Sequence, residues 1–361
     1  MPGVLSDGLS RGRANRASCL GLACAVACAL LLAAFWSSAA ASDDQGEHSI
    51  ATPLRIVNLN PFHLLYGVPG SFGTPVLASG STQLIAALDM ASHLRAGDSG
   101  AEEVLIDGET YRQSLTLRHG LGNGWEYLLD LAFVSHSAGH FDRFIEDWHS
   151  TFGLPQGNRD TAPRNRLALS YARDGVTHVD IDNGVSSLGD VSLGVGYALP
   201  NPPFPNDGMA VRAALKLPTG DEADLTGSGG LSLATWAETS GALFDSAASR
   251  EWLYSATLGL LAGEAPRNLP GIGERFIAFG RFGVTWQLLS DFNLTTQLDV
   301  HSSPYGGSAL APLSDPVVMI GLGGSWTFSE NTTLEIAVTE DDGTFHATPD
   351  TGLHVALSWR L

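Results

Sequence analysis

The densest group of residues that could act in catalysis lies between residues 136 and 149. Ser137 offers a hydroxyl nucleophile, His136 or His149 a base, and Asp147 a carboxylate to orient that base, which are the parts of a Ser-His-Asp hydrolase. Catalytic residues are usually brought together by the tertiary structure and are rarely close neighbours in the sequence. This local spacing alone therefore does not indicate an enzyme. We expect a protein that is not an enzyme. The alternative is a hydrolase that acts on lipid or lipopolysaccharide.

Candidate metal ligands are few. His178, Asp180 and Asp182 share one face of a predicted strand, and the acidic runs 221–224 and 340–342 carry several carboxylates. Neither set has the spacing of an established calcium loop. No glycine-rich loop follows a strand and opens a helix, as a phosphate-binding site would require. The sequence therefore predicts no metal and no cofactor.

The first 41 residues predict a secretory signal peptide. Three arginines precede the apolar run 19–36, which leads into small residues that end at Ala41, and this order is typical of a signal peptide with its cleavage site. All three cysteines lie in this segment, so the exported chain would contain no thiol. The formal net charge of −19 argues against a nucleic-acid partner.

From residue 82 to the end, stretches of about ten residues alternate between apolar and polar or small side chains. Leu129 and Leu131, for example, alternate with Glu126 and Asp130. A soluble sandwich also alternates, but strands of this length fit a tilted bilayer crossing, and short connections alternate with long ones. The pattern predicts an all-β, transmembrane, antiparallel up-and-down barrel over residues 82–361. Aromatic residues expected to form an interfacial girdle near the short turns are Trp125, Trp286, Trp326, Phe328 and Trp359.

Counting strands back from a C-terminus in the periplasm predicts 14 strands, which puts both ends of the barrel on that side. The connections 199–207 and 241–250 are long for periplasmic turns, so 12 strands is the alternative. Short turns are expected at 122–124, 174–175, 289–291 and 329–331. The predicted strands start near residues 82, 110, 125, 165, 176, 189, 209, 230, 251, 275, 292, 316, 332 and 351.

The polar face of these strands would line the lumen, and it carries charges of both signs. Such charges could set the ion preference of a pore, or they could pair with one another and fill the interior. The mixed signs favour pairing. The predicted lumen-facing charges are Arg112, Arg118, Glu126, Asp130, Arg166, Asp190, Arg212, Lys216, Arg281, Asp299, Glu335 and Arg360.

One helical pattern interrupts the strands, in the longest extracellular loop. Apolar residues at i, i+3, i+4, i+7 and i+11 predict a short amphipathic helix, which Gly153-Leu154-Pro155 would end. The helix would be a constriction or gate if it folds into the barrel, and it would dock the loop on the rim if it does not. Its apolar stripe consists of Phe141, Phe144, Ile145, Trp148 and Phe152.

Residues 42–81 differ in kind from the rest of the mature chain. Pro53, Pro61, Pro69 and Pro75 break any periodicity. The apolar character of this stretch exceeds that of a disordered tail. We expect an irregular lead-in on the periplasmic side or a plug in the lumen.

Several motifs resemble one bacterial family, called domain of unknown function 3187. The resemblance covers nearly the whole mature chain and implies an outer-membrane barrel of Gram-negative bacteria, with no activity and no catalytic residues. This chain ends in Leu361 rather than in the aromatic residue that the assembly machinery commonly reads. The motifs are Asn58-Leu59-Asn60-Pro61-Phe62, Ser135-His136-Ser137-Ala138-Gly139, Phe144-Ile145-Glu146-Asp147-Trp148-His149, Phe152-Gly153-Leu154-Pro155, Gly189-Asp190, Leu217-Pro218-Thr219-Gly220 and Glu340-Asp341 to Arg360.

These observations predict a protein of the cell outer membrane whose partners are outer-membrane lipids and the barrel assembly machinery. The leading hypothesis is a pore or binding protein for a small solute, with the loop helix as constriction. The alternatives are the hydrolase and a plugged barrel with a structural or surface-interaction role.

Overall fold

The computed structural model describes residues 51–152, 163–200, 202, 208–244, 252–341 and 346–361, with side chains except at positions 144, 145, 148, 149, 152 and 341. The predicted signal peptide, residues 42–50 of the lead-in and the predicted helix end Gly153-Leu154-Pro155 lie outside this part of the chain. No helix among the described residues is long and apolar enough to cross a membrane.

Fifteen strands of the described chain form one antiparallel sheet, and twelve of them close into a barrel. The ring runs from β1 through β2, β3 and β7 to β15 in sequence order, and β15 pairs with β1 to close it. The predicted transmembrane barrel is confirmed, with the lower of the two strand counts. The strands are β1 (Thr82–Asp98), β2 (Glu102–Gly122), β3 (Trp125–Ser137), β4 (Ala168–Arg173), β5 (Val176–Ile181), β6 (Val185–Leu188), β7 (Val191–Ala198), β8 (Gly208–Leu217), β9 (Ser232–Ala242), β10 (Trp252–Gly263), β11 (Phe276–Gln287), β12 (Phe292–His301), β13 (Val317–Ser329), β14 (Thr332–Asp341) and β15 (Thr351–Arg360).

The alternation in the sequence is what closes the ring around a polar interior. In β12 the side chains of Gln297 and Asp299 are buried, whereas Leu298 and Val300 are exposed on the outside. Successive side chains of a strand point to opposite faces of the sheet, and a closed barrel leaves no unpaired backbone groups in contact with lipid. The outer face is therefore apolar, and the polar residues meet inside.

Three strands lie outside the ring. β2 pairs with β3 over residues 109–122, but its first residues, 102–107, pair with β4, which in turn pairs with β5. β6 pairs with the end of β3. The prediction that the strands starting near 165 and 176 cross the membrane was wrong, because β2 is 21 residues long and its free edge binds them as an added hairpin.

The added hairpin also changes the position of one predicted short turn. The backbone N–H of Asp174 donates to the carbonyl of Ala101, in the β1–β2 turn, at 2.8 Å. The turn 174–175 is therefore beside the β1–β2 hairpin, at the end of the barrel that carries the long loops. It does not belong with the turns 122–124, 289–291 and 329–331 at the opposite, short-turn end.

Aromatic side chains collect on the outer surface at the short-turn end. Trp252 and Trp286 stack with their ring centroids 5.4 Å apart, and the ring centroids of Trp326 and Phe328 are 4.5 Å apart. Trp125 contacts Tyr197, is half exposed, and follows the turn 122–124. Such rings favour the boundary between lipid and water, so this end carries the expected girdle.

Among the described residues, helical structure occurs in three short segments. The amphipathic helix predicted in the longest loop is present as α1 (Asp142–Phe152), and α2 (Ala311–Ser314) lies in the loop between β12 and β13. A single 3-10 turn covers His63–Tyr66.

Candidate functional site: the barrel lumen

The interior of the barrel holds the chain's own residues 51–81, here called the lumen loop. On its first arm, the backbone N–H and C=O of Leu54 bond to the side-chain amide of Gln297, in the middle of β12, at 2.9 and 3.0 Å. Asn58 then donates to the carbonyl of Ala347, in the long loop before β15, at 3.2 Å. The first arm therefore runs from the middle of the barrel to the long-loop end.

The loop then returns to the short-turn end. The Thr74 hydroxyl lies 2.6 Å from that of Ser240, near the end of β9. The Leu77 backbone N–H donates to Glu126, the second residue of β3, at 3.2 Å. Residue 82 begins β1 at this same end, so the loop turns at the long-loop end and leaves the lumen on the short-turn side.

The turn at the tip follows from its residue types. The Asn60 side-chain oxygen accepts the backbone N–H groups of Phe62 and His63 at 3.1 and 3.5 Å, which starts the 3-10 turn as an Asx motif does. Gly67 ends the turn with φ at 70°, a conformation that favours glycine. A Cβ at this position would also clash with the Lys216 side chain.

The tip packs into an apolar cluster at the long-loop end. Phe62, Leu65 and Tyr66 are fully buried there. The Tyr305 hydroxyl donates to the carbonyl of Phe62 at 2.6 Å, and the Tyr66 hydroxyl donates to the carbonyl of Glu274 at 3.1 Å. The tip is thus fixed by apolar contacts and by two hydrogen bonds to the external loops.

Below the tip, the wall presents paired charges, and the first group of them is the Arg212 cluster (Arg118, Glu126, Arg212 and Glu238). The guanidinium groups of Arg118 and Arg212 each lie 2.9 Å from the Glu126 carboxylate, and Arg212 also pairs with Glu238. All four side chains are buried. A buried charge is tolerated only when it is paired and hydrogen-bonded, so these residues depend on one another.

The Arg212 cluster holds the returning arm of the lumen loop. Arg212 donates to the carbonyl of Gly73 at 2.7 Å, and Arg118 donates to that of Pro75 at 2.7 Å. Glu238 accepts from the Ser71 hydroxyl at 2.7 Å and from the Phe72 backbone N–H at 3.0 Å. The wall therefore fixes this arm through polar contacts.

Two further pairs in the lumen are balanced in charge. Arg281 and Asp299, which are direct partners in the β11–β12 register, lie 2.8 Å apart, and Arg281 also donates to the carbonyl of Pro69 at 2.5 Å. Lys216 pairs with Asp190, beside the start of β7. Both pairs are buried.

The fourth group, the Asp89 cluster, consists of Asp89, Arg112, Asp130, Glu335 and His354. Arg112 lies 2.5 Å from Asp130 and 3.5 Å from Asp89. His354 lies 2.5 Å from Asp89 and 3.1 Å from Glu335. This cluster borders a cavity of about 140 Å³ between the lumen loop and the wall.

Most predicted lumen charges lie in these four groups. Arg166 is an exception, because it precedes β4 outside the ring and donates to Asp107 at 2.6 Å. Arg360 is exposed at the very end of β15. Asp89 and Glu238 were missed, although each occupies an inward position that a strict two-residue period would have identified.

The catalytic candidates do not come together around His136. Its side chain is buried, with Nδ1 3.0 Å from the Thr110 hydroxyl and Nε2 3.2 Å from the carbonyl of Leu225. Ser137 is the next residue of the strand and faces the other side, where its hydroxyl donates to the carbonyl of Ala138 at 3.4 Å. The side chain of His149 is outside the described residues, so a hydrolase that uses His149 with Asp147 stays a prediction.

The start of α1 is attached to the outward side of the wall. Glu109 accepts the backbone N–H groups of His140 and Phe141, both at 2.7 Å, and also the Tyr111 hydroxyl at 2.5 Å. Glu109 and Tyr111 share the face of β2 that carries the exposed Leu115. These contacts hold the first turn of the helix outside the lumen. Of the predicted apolar stripe, only the Phe141 side chain is described, and it is exposed.

The chain is similar to several solved structures. The chain is similar to the COG4313 outer membrane channel from Pseudomonas putida F1, with a TM-score of 0.54 and 11% identity over 80% of this chain and 98% of that one. The NanC porin matches with a TM-score of 0.40 and 10% identity, over 78% of this chain and 100% of that one. The CymD monoaromatic hydrocarbon channel matches with a TM-score of 0.36 and 10% identity, over 79% and 88%.

At 11% identity, the likeness to the Pseudomonas channel shows the fold alone. No curated protein matches the sequence. A family profile matches residues 27–361, which is nearly the whole chain. The protein belongs to the family described as Protein of unknown function (DUF3187).

Proposed function

We propose that the protein is an outer-membrane channel for a small solute and that the lumen loop is its plug. The closed ring supplies the path, and residues 51–81 occupy it. The observation that carries the proposal is the polar attachment of the returning arm to the Arg212 cluster, described above. Polar groups released from such contacts can bond to water instead, so withdrawal of the loop costs less than unpacking an apolar core of the same size.

The lumen loop, rather than α1, is the constriction in this proposal. The loop contacts inward-facing residues of β2, β3, β8, β9, β11, β12 and β14. The first turn of α1, by contrast, bonds to Glu109 on the outward side. A gate has to lie across the path that it closes.

Replacement of residues 54–77 by a flexible Gly-Ser linker is expected to open the channel. Planar-bilayer recordings should show stepwise conductance, with an open time at least about tenfold longer than that of the natural chain, because the linker lacks the groups that bind the wall. Deletion of residues 139–152 is the matched control, and it should leave conductance unchanged. A folded, linker-containing barrel that does not conduct, or a channel opened by the helix deletion alone, would contradict the proposal.

Acid is expected to weaken insertion of the tip. Burial lowers the pKa of His63 from 6.5 to about 3, and the neighbouring His301 adds to the shift; Tyr305 is the other ring in contact. A withdrawn, solvated His63 regains its usual pKa, so below pH 6.5 only the withdrawn loop binds the extra proton. The inserted state should lose about 2 kcal/mol at pH 5 relative to pH 7.

The measurement is open probability between pH 7 and pH 5 for the natural chain and for His63→Gln. Open probability should rise on acidification in the natural chain and rise much less in the variant. An equal rise in both proteins would assign the acid response to another group.

A further inference from the structure

The lumen charges are balanced in three of the four groups. The Arg212 cluster contains two arginines and two carboxylates, and the other two groups are single pairs of opposite charge. Within the described residues, these groups therefore need no further counter-ion. A solute that passed them would meet charges already neutralised by their neighbours.

The Asp89 cluster is different, because the wall gives it an excess of carboxylates. Asp89, Asp130 and Glu335 stand against Arg112 and His354. Even with the imidazole protonated, one carboxylate has no cation from the wall. A buried carboxylate without a counter-charge is unfavourable, so this part of the lumen favours an additional cation.

In the closed barrel the additional cation is Arg55 of the lumen loop. Its backbone N–H donates to Glu335 at 2.8 Å. Its guanidinium donates to the Thr116 hydroxyl at 3.2 Å, and that hydroxyl in turn donates to Asp130 at 2.6 Å. The guanidinium also lies 4.7 Å from the centre of the Phe72 ring, a cation–π arrangement.

Part of the Arg55 guanidinium is held less tightly than a structural ion pair would be. Its Nε and Nη1 atoms are buried and have no hydrogen-bond partner among the described residues. Arg55 lines the cavity of about 140 Å³ together with four members of the Asp89 cluster, namely Asp89, Arg112, Asp130 and His354. The guanidinium is therefore in a site with spare volume and spare bonding capacity, which is typical of a ligand site rather than of a packed core.

We propose that the Asp89 cluster is a binding site for a guanidinium or amine group of a cationic solute, and that Arg55 occupies this site as an internal substitute while the lumen loop is inserted. The inference rests on the proposed function. Withdrawal of the loop removes Arg55 and leaves the carboxylates of the cluster open to the solute. Competition between solute and Arg55 would then couple solute binding to opening.

Chemical rescue of Arg55→Ala in the full-length protein tests the site without any need for conductance. The variant should show a melting temperature lower than that of the natural chain by about 5 °C. Methylguanidinium chloride at about 10 mM should restore at least half of the loss, whereas sodium chloride at the same concentration should not. The melting temperature of the natural chain should not change on addition of methylguanidinium chloride. The matched control is Arg55→Ala combined with Glu335→Gln, in which the carboxylate excess is gone and rescue should be lost.

If the Arg55→Ala variant fails to fold, the ion selectivity of the channel provides a second test of the site. The protein with the linker in place of residues 54–77 should give a cation-selective reversal potential in a potassium chloride gradient, and Glu335→Gln should reduce that selectivity. An absence of rescue, or equal rescue by sodium, would overturn the cation site even if the channel conducts, and so would anion selectivity. Rescue without any conductance would support the cation site and contradict the channel.

Discussion

An Arg212→Ala variant is expected to conduct in planar bilayers under conditions in which the natural chain is closed. Arg212 is fully buried, pairs with Glu126 and Glu238, and donates to the carbonyl of Gly73 in the lumen loop. The substitution leaves two buried carboxylates with half of their counter-charge and removes a direct bond to the loop. Water must then enter, and water competes for the groups that hold the loop in place.

The expected size of this effect is large. Removing one partner of a buried ion pair costs about 3–5 kcal/mol, which corresponds to a change of about 10² to 4 × 10³ in the ratio of closed to open channels if the cost falls on the inserted state. Arg212→Lys keeps the positive charge, so its ratio of closed to open channels should be intermediate between those of the natural chain and Arg212→Ala. Arg164→Ala is the surface control, since Arg164 pairs with Glu146 in solvent. An Arg212→Ala barrel that is folded and still closed would show that the polar contacts do not hold the plug.

A disulfide between the lumen loop and the wall is expected to keep the channel closed. The hydroxyls of Thr74 and Ser240 are 2.6 Å apart and buried, so cysteines at these positions bring two thiols within bonding range. All natural cysteines precede residue 29, so if that segment is removed no other thiol competes. In an Arg212→Ala background, the oxidised Thr74→Cys/Ser240→Cys protein should not conduct, and reduction should restore conductance.

The comparison is made on one protein in one bilayer, before and after addition of a reductant. Open time should increase by more than tenfold on reduction, because the covalent bond prevents withdrawal of the loop. Each single cysteine variant is a control and should conduct regardless of redox state. Conductance that persists in the fully oxidised double variant would show that ions pass beside an inserted loop, and the plug proposal would then fail.

The barrel itself could be predicted from the sequence because a two-residue period is a local property. The alternation of Leu298 and Val300 with Gln297 and Asp299 determines which face is apolar before any contact is made. The same reasoning predicted lumen-facing charges on β2, β3, β8, β11 and β12. It also identified α1, because an apolar stripe at helical spacing is equally local.

The strand count could not be predicted in this way. The sequence around β4 and β5 alternates as a wall strand does, but each strand has only six residues and pairs at the free edge of β2 over residues 102–107. Pairing partners are set by contacts between residues far apart in sequence, and the period of one strand does not specify its neighbour. Arg166 was predicted to face the lumen for the same reason: it precedes β4, which pairs outside the ring.

The sequence by itself determined an outer-membrane-type barrel with a charged interior, a girdle of aromatic residues and a loop helix, because each of these follows from local spacing. Only the tertiary structure decided what fills the lumen. Residues 51–81 have no periodicity, and the role of Arg55 depends on Thr116 and Glu335, which are 61 and 280 positions away. The excess of carboxylates in the Asp89 cluster appears only when strands β1, β2, β3, β14 and β15 close into a ring, since charge balance is a property of neighbours in space.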